Sequence, residues 1–232
     1  MASANKQPGN PHADYLFVTR GIPKDLVLLT RDAAGADTFV ETGTYQGGTT
    51  RWAGEHFKQV VTMEAAEALH KTAAEAGRHQ PNVKYLLGDS SKLMPQVVNS
   101  LAGPAIFWLD GHFSGGDTAG ADFECPVLEE LEAIAASPHE HIVFIDDARL
   151  FLSAPNGGHQ REQWPTLLEL LAHVTPLKGN PHVAVIADVI ISVPTRHRDL
   201  LDNWCRDLAD QAWRVWKRKN NAKKGVLARM LG

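Results

Sequence analysis

The stretch Thr38-Phe39-Val40-Glu41-Thr42-Gly43-Thr44-Tyr45-Gln46-Gly47-Gly48-Thr49-Thr50 decides how this chain is read. A short apolar run ends in a carboxylate, a glycine turn follows, and small polar residues then open a helix. Glycine accepts positive φ and lets backbone come close to a bound molecule. A helix beginning near Gly48 directs free N–H groups and the positive end of its dipole back at the turn. The pattern Glu-x-Gly-x-x-x-Gly differs from the Gly-x-Gly-x-x-Gly of dinucleotide folds. The residues therefore describe a strand, loop and helix shaped to cradle a small molecule.

Working outward, short β-branched apolar runs alternate with helical segments. Strands are expected at Thr38–Thr42, Val60–Met63, Val83–Leu87, Ala105–Leu109 and His141–Ile145. Helices are expected at Thr49–Phe57, Ala65–Gly77, from Ser90 through Val98, at Pro126–Ala136 and at Trp164–Val174. Such runs suit strands covered on both faces. His182–Val193 then breaks the rhythm: it is strand-like throughout, with Ala187-Asp188 as a hairpin turn. A last helix begins near Arg198. The expected fold is α/β, Rossmann-like and doubly wound, a mostly parallel seven-stranded sheet with a C-terminal antiparallel hairpin strand. Residues 1–35 read as an N-terminal arm or helical cap, and 36–232 as the ligand-binding domain.

In an open parallel sheet, ligands sit beyond the carboxyl ends of the strands. All five expected parallel strands reach that edge with acid: Glu41, Glu64, Asp89, Asp110, and Asp146 with Asp147. Crowding them on one rim without a cation or donor-rich ligand costs stability through repulsion. S-adenosylmethionine gives each a task. The loop Thr42, Gly43, Thr44, Tyr45, Gly47, Gly48 and Thr49 approaches the methionine part, with Glu41 beneath it for the ammonium. Glu64 accepts the ribose hydroxyls, and Asp89 with Ser90 ends the strand where adenine lies. A cationic sulfonium fits an acidic rim better than a pyrophosphate does.

These motifs (Glu41 to Thr50, Glu64, Gly88-Asp89-Ser90 and Asp110) resemble those of class I S-adenosylmethionine-dependent methyltransferases. The loop is similar to that of the cation-dependent O-methyltransferases. Asp110 with Asp146-Asp147 resembles the metal aspartates of the macrocin and novobiocin-type sugar O-methyltransferases. The resemblance spans roughly Thr38 to Val193. It implies O-methylation of a small-molecule hydroxyl, with Mg2+ held by Asp110, Asp146 and Asp147. The loop Asp110-Gly111-His112-Phe113-Ser114-Gly115-Gly116-Asp117-Thr118 departs from catechol and caffeoyl-CoA enzymes, and the fifth strand ends Asp-Asp rather than Asp-Asn. Both departures lean toward a sugar or other polyhydroxylated acceptor.

Methyl transfer needs an acceptor oxygen placed in line with the methyl group and a means of removing its proton. His112, beside Asp110, is the candidate general base. Asp117 and Thr118 follow a Ser-Gly-Gly hinge and read as a lid. His159 is a second candidate on the same rim. His79, His139 and His141 read as surface residues, and Trp52, Trp108 and Trp164 as core. The chain has no Cys-x-x-Cys or His-Glu-x-x-His zinc spacing and no Gly-x-Ser-x-Gly elbow.

The remaining composition agrees. The chain has 232 residues, 44% hydrophobic and 22% charged, enough for one α/β domain with a sizeable core. A net charge of −4 argues against a general polyanion binder. Two cysteines, Cys125 and Cys205, build no disulfide framework and suit a reducing, cytoplasmic compartment. No apolar h-region follows a basic start and no run is long enough for a membrane span. From Gln211 onward there are Lys and Arg but no Asp or Glu, read as a solvated helix end rather than a nucleic-acid surface. The N-terminal arm and the Trp-rich last helix could build a homodimer. Two other functions fit the same sheet: a non-catalytic S-adenosylmethionine-fold module, and an NAD-binding oxidoreductase whose glycine spacing is wrong.

Overall fold

The computed structural model describes residues 21–112, 124–153, 155 and 158–230. The elements run α1 (Lys24–Ala34), β1 (Thr38–Thr42), α2 (Gly48–His56), β2 (Gln59–Glu64), α3 (Glu67–Ala76), β3 (Val83–Leu87), α4 (Ser90–Asn99), β4 (Ala105–Leu109), α5 (Val127–Ala135), β5 (Ile142–Ile145), α6 (Arg149–Leu152), α7 (Leu167–Val174), β6 (Pro181–Ile186), β7 (Val189–Pro194) and α8 (Arg198–Met230). The seven strands lie in the order β3-β2-β1-β4-β5-β7-β6. The pairs among β1 to β5 are parallel; β7 runs antiparallel to both β5 and β6. This is the doubly wound sheet with a terminal hairpin that the sequence leads one to expect.

Alternation within β1 explains the layers. Val40 points into one core with α4, α5 and α7, through Val97, Leu131 and Leu170. Phe39 points into the other, with α1, α2 and α8, through Leu26, Ala53 and Leu201. Each side chain on a strand alternates in face, so Thr42 follows Val40 and Glu41 follows Phe39. Every residue of β4 is buried, as a central parallel strand requires.

The N-terminal segment, read as a helical cap or an arm, packs α1 beside the core, where Leu26 and Val27 are fully buried and Trp204 Nε1–H of α8 donates to Asp25 Oδ2 at 2.9 Å. Several other local expectations shift. Trp164 does not begin a helix: Pro165 intervenes, and α7 starts at Leu167 behind a capping box of Thr166 and Glu169. His141 lies just before β5 and is 5% exposed, not a surface residue. Its Nδ1 accepts the Ala105 N–H, and its Nε2 meets Ser137 Oγ. The short helix α6 adds one turn directly after β5, with Leu150 and Phe151 buried. Asp117, Thr118 and the Ser-Gly-Gly hinge lie outside the described residues. Among those residues no helix is long and apolar enough to cross a membrane.

Candidate active site

Strand order reverses between β1 and β4, and the loops leaving these two strands touch. Gly43 has φ +77°, and a Cβ there would stand 2.1 Å from the Asp110 carbonyl oxygen. Thr42 Oγ1 accepts the N–H groups of Asp110 and Gly111 at 3.2 and 3.1 Å, locking the two loops together. Gly43 is thus required first by this loop-on-loop contact. Gly47 also has positive φ, at +71°. Gly48, the first residue of α2, differs: a Cβ there would meet nothing within 4 Å, and no side chain caps the helix. The open approach to the α2 N-terminus is at Gly48 and Thr49. Tyr45, beside it, is 55% exposed and is not packed beneath the helix.

Glu41 lies one residue before the end of β1 and points sideways under α2. It is 1% exposed, and its Oε2 accepts from Thr50 Oγ1 at 2.5 Å and Thr62 Oγ1 at 2.7 Å. Thr44 Oγ1 stands 2.5 Å from Thr62 Oγ1. A hydroxyl has one proton to give, and Thr62 gives its own to Glu41, so Thr44 is the donor in that contact. A hydrogen-bond chain therefore runs from the glycine loop to Glu41. Burial pushes the Glu41 carboxyl up to about 7, against the two hydroxyl bonds, which pull it down.

Glu64, at the end of β2, accepts the Tyr45 N–H on Oε2 at 2.8 Å and the Ala66 N–H on Oε1 at 2.9 Å. It shapes the glycine loop from the neighbouring strand, and each oxygen keeps a lone pair for a further donor. Asp89 serves as N-cap of α4. It accepts from Ser91 N–H and Oγ–H and pairs with Lys92. Ser90 turns inward and donates to Glu130 Oε1 at 2.5 Å. Glu130, on α5, is 1% exposed, and burial raises its carboxyl to about 7 while Ser90 and Thr42 pull it down.

At the ends of β4 and β5 the acidic and basic groups interlock. His112 is buried, and its Nε2 lies 2.8 Å from Asp147 Oδ2 and 3.9 Å from Asp110 Oδ1. A carboxylate only accepts, so Nε2 carries the proton. Burial alone would lower the His112 pKa, but the Asp147 hydrogen bond and the nearby carboxylate charges outweigh it, and the net shift is upward. Asp146 Oδ1 accepts the Asp147 N–H at 2.8 Å; burial first, then the charge of Asp147, raises Asp146 to about 6. Asp110 is raised well above its ordinary value, mainly by burial, with Asp146, Asp147 and Glu41 adding to it. Trp164 edges against His112 at 5.4 Å and against His159 at 5.1 Å, and its Nε1–H donates to Glu124 Oε2 at 2.6 Å. Trp164 is core, as expected, yet it also forms the wall behind His112.

Glu41, Glu64 and Asp110 are gathered at one edge, close enough to act on one another electrostatically. The expected metal group is not assembled in the same way. Asp147 has both oxygens engaged, one by His112 and one by Arg149. Among the described residues no group of three or more His, Cys, Asp or Glu is placed to hold a metal ion. Asp110, Asp146 and Asp147 as they stand do not fit a divalent site. Glu130, Glu124, Arg149 and Thr62 escaped the sequence reading. Glu130 alone carried a signal, a charge falling on the apolar stripe of Val127, Leu131 and Ile134.

No family model matches this chain, and no curated protein matches it by sequence. Solved structures match by fold. An O-methyltransferase from Bacillus cereus, in complex with S-adenosylhomocysteine, aligns with a TM-score of 0.51 at 16% identity, over 79% of this chain and 86% of that one. The O-methyltransferase TomG from Streptomyces achromogenes, involved in tomaymycin synthesis and bound to S-adenosylmethionine, aligns with a TM-score of 0.51 at 13% identity, over 82% and 91%. The fold is that of the class I S-adenosylmethionine-dependent methyltransferases.

Proposed function

We propose that the protein is an S-adenosylmethionine-dependent methyltransferase acting on a hydroxyl of a small molecule. The sugar or polyhydroxylated acceptor suggested by the macrocin and novobiocin resemblance belongs to this reading. The observation that carries it is that the glycine loop of β1 packs against Asp110 and Gly111 at the switch between β1 and β4, directly before His112, which pairs with Asp147 at the end of β5. Open parallel sheets bind ligands at that point. The O-methyltransferases that share the fold give the direction.

In this reading the loop from Thr42 to Thr49 takes the methionine part of the donor. Glu64 keeps acceptor capacity for the ribose, and Ser90 stands below the adenine. Asp89 caps α4, which fixes the turn that Ser90 follows. The acceptor oxygen attacks the methyl carbon in line with the C–S bond. That bond's electron pair returns to sulfur, leaving a neutral thioether and a methyl ether. The proton of the acceptor goes to Nδ1 of His112, since Asp147 holds the Nε2–H. Asp147 then stabilises the imidazolium that forms. No step passes through a metal ion.

Calorimetry with S-adenosylmethionine, S-adenosylhomocysteine and NAD tests the cofactor. Binding of the first two and not the third is expected. Binding of NAD alone would overturn the reading. A screen of hydroxylated acceptors with methyl-labelled donor then tests the reaction.

A further inference from the structure

Asp147, Arg149 and Asp188 close a ring of charges at the carboxyl end of β5. The Arg149 guanidinium bridges Asp147 Oδ1 and Asp188 Oδ2. Asp188 Oδ1 accepts the Arg149 backbone N–H at 2.9 Å, and the Asp188 carbonyl accepts the Ala148 N–H at 2.8 Å. Three residues here sit in the left-handed region, Asp147 at φ +55°, Ala187 at +54° and Asp188 at +63°. Non-glycine residues are held there only when their surroundings over-determine them. The β6–β7 turn is thus fastened to the end of β5, and the fastening delivers an arginine to Asp147.

We propose that Arg149 is the resident cation of this carboxylate group, occupying Asp147 where the resemblance would put a divalent ion, and that the protein has no metal site at Asp110, Asp146 and Asp147. Guanidinium stays charged at any working pH, and a single terminal nitrogen, carrying two N–H groups, reaches both carboxylates here. A half-exposed ion pair contributes little by itself. Here the backbone bonds to Asp188 hold both partners in place, and His112 takes the second oxygen of Asp147. Magnesium, by contrast, takes an octahedron of oxygens, one or two from carboxylates and the rest from water or substrate, and here both oxygens of Asp147 are already engaged. Arg149 also positions Asp147, and through it the His112 ring.

The proposal concerns the crevice of the methyl-transfer reading, but its test needs neither donor nor acceptor, so either can fail alone. Mn2+ is titrated into the full chain near neutral pH and followed by electron paramagnetic resonance, with Mg2+ as competitor. The wild type is expected to show no site tighter than about 1 mM. Arg149→Gln should bind Mn2+ about tenfold more tightly or better, adding Asp147→Asn should reverse the gain, and Arg149→Lys should stay near the wild type. Stoichiometric Mn2+ binding by the wild type that Asp147→Asn abolishes would overturn the proposal. So would a folded Arg149→Gln, judged by circular dichroism, that binds no better than wild type. The wild-type titration decides even if that variant fails to fold.

Discussion

His112 Nε2 and Asp147 Oδ2 stand 2.8 Å apart, joining the loops that leave β4 and β5 across 35 positions of chain. The pairing fixes the tautomer, aims the ring, and raises its proton affinity despite burial. In wild type, His112 should titrate above the ordinary imidazole value of 6.5 when followed by the NMR shifts of its ring protons. Asp147→Asn should lower it, because burial would then be opposed by fewer charges. Once an acceptor is found, turnover should rise with pH through the same ionisation. His112→Ala should cost about 10²- to 10⁴-fold in rate.

Gly43 and Gly48 should respond in opposite ways to alanine. Gly43→Ala forces a Cβ against the Asp110 carbonyl at positive φ, and should lower stability by about 2 kcal/mol or more in urea unfolding. Gly48→Ala meets open space at a helical position and should stabilise the fold by about 0.5 kcal/mol. If the donor's methionine part lies against α2, Gly48→Ala should still weaken S-adenosylhomocysteine binding, read by calorimetry.

Glu41 and Glu130 are carboxyls raised to about 7 by burial. A raised folded-state pKa means that the folded chain holds protons the unfolded chain has released. Their contribution to stability is complete below about 4.5 and is lost as pH rises through about 7, by up to roughly 3 kcal/mol each. Glu41→Gln keeps the acceptor for Thr50 and Thr62 without the charge. Relative to wild type it should gain stability between pH 6 and pH 8 in denaturant titrations.

His141 works at the other end of the pH range. Burial pushes its pKa down from 6.5 to about 4, and the Ala105 N–H occupies its Nδ1. Between those values the unfolded chain takes up a proton that the folded chain refuses, so stability falls as pH drops. The loss should reach about 2 kcal/mol at pH 5. His141→Gln should flatten that limb in urea titrations at pH 7 and pH 5.

Much was legible from the residues because it was local. Apolar, β-branched runs of four to six residues, separated by helical spacing, read as parallel strands, although β3 at the sheet edge buries none of its residues, and Ala187-Asp188 marks its own hairpin. The carboxylates at strand ends are periodic with the sheet, so their shared edge followed from the strands themselves. Helix starts were less secure: Trp164 looked helical by its neighbours until Pro165 and the Thr166 cap moved the start of α7 onward.

Contacts between distant segments decided the rest. Sequence order places Glu41 at a strand end, but the pleat turns it beneath α2, where Thr50 and Thr62 claim one of its oxygens. Gly43 looks like a ligand glycine and is first a packing glycine, because β4 lies beside β1. Glu130 meets Ser90 across 40 positions, and Arg149 meets Asp188 across 39. The sequence alone determined which runs are apolar enough to be covered on both faces and which strand ends carry acid, since a residue's own chemistry needs no partner. Which acid meets a hydroxyl, a histidine or an arginine depends on the order of strands in space, and only the folded sheet decides that.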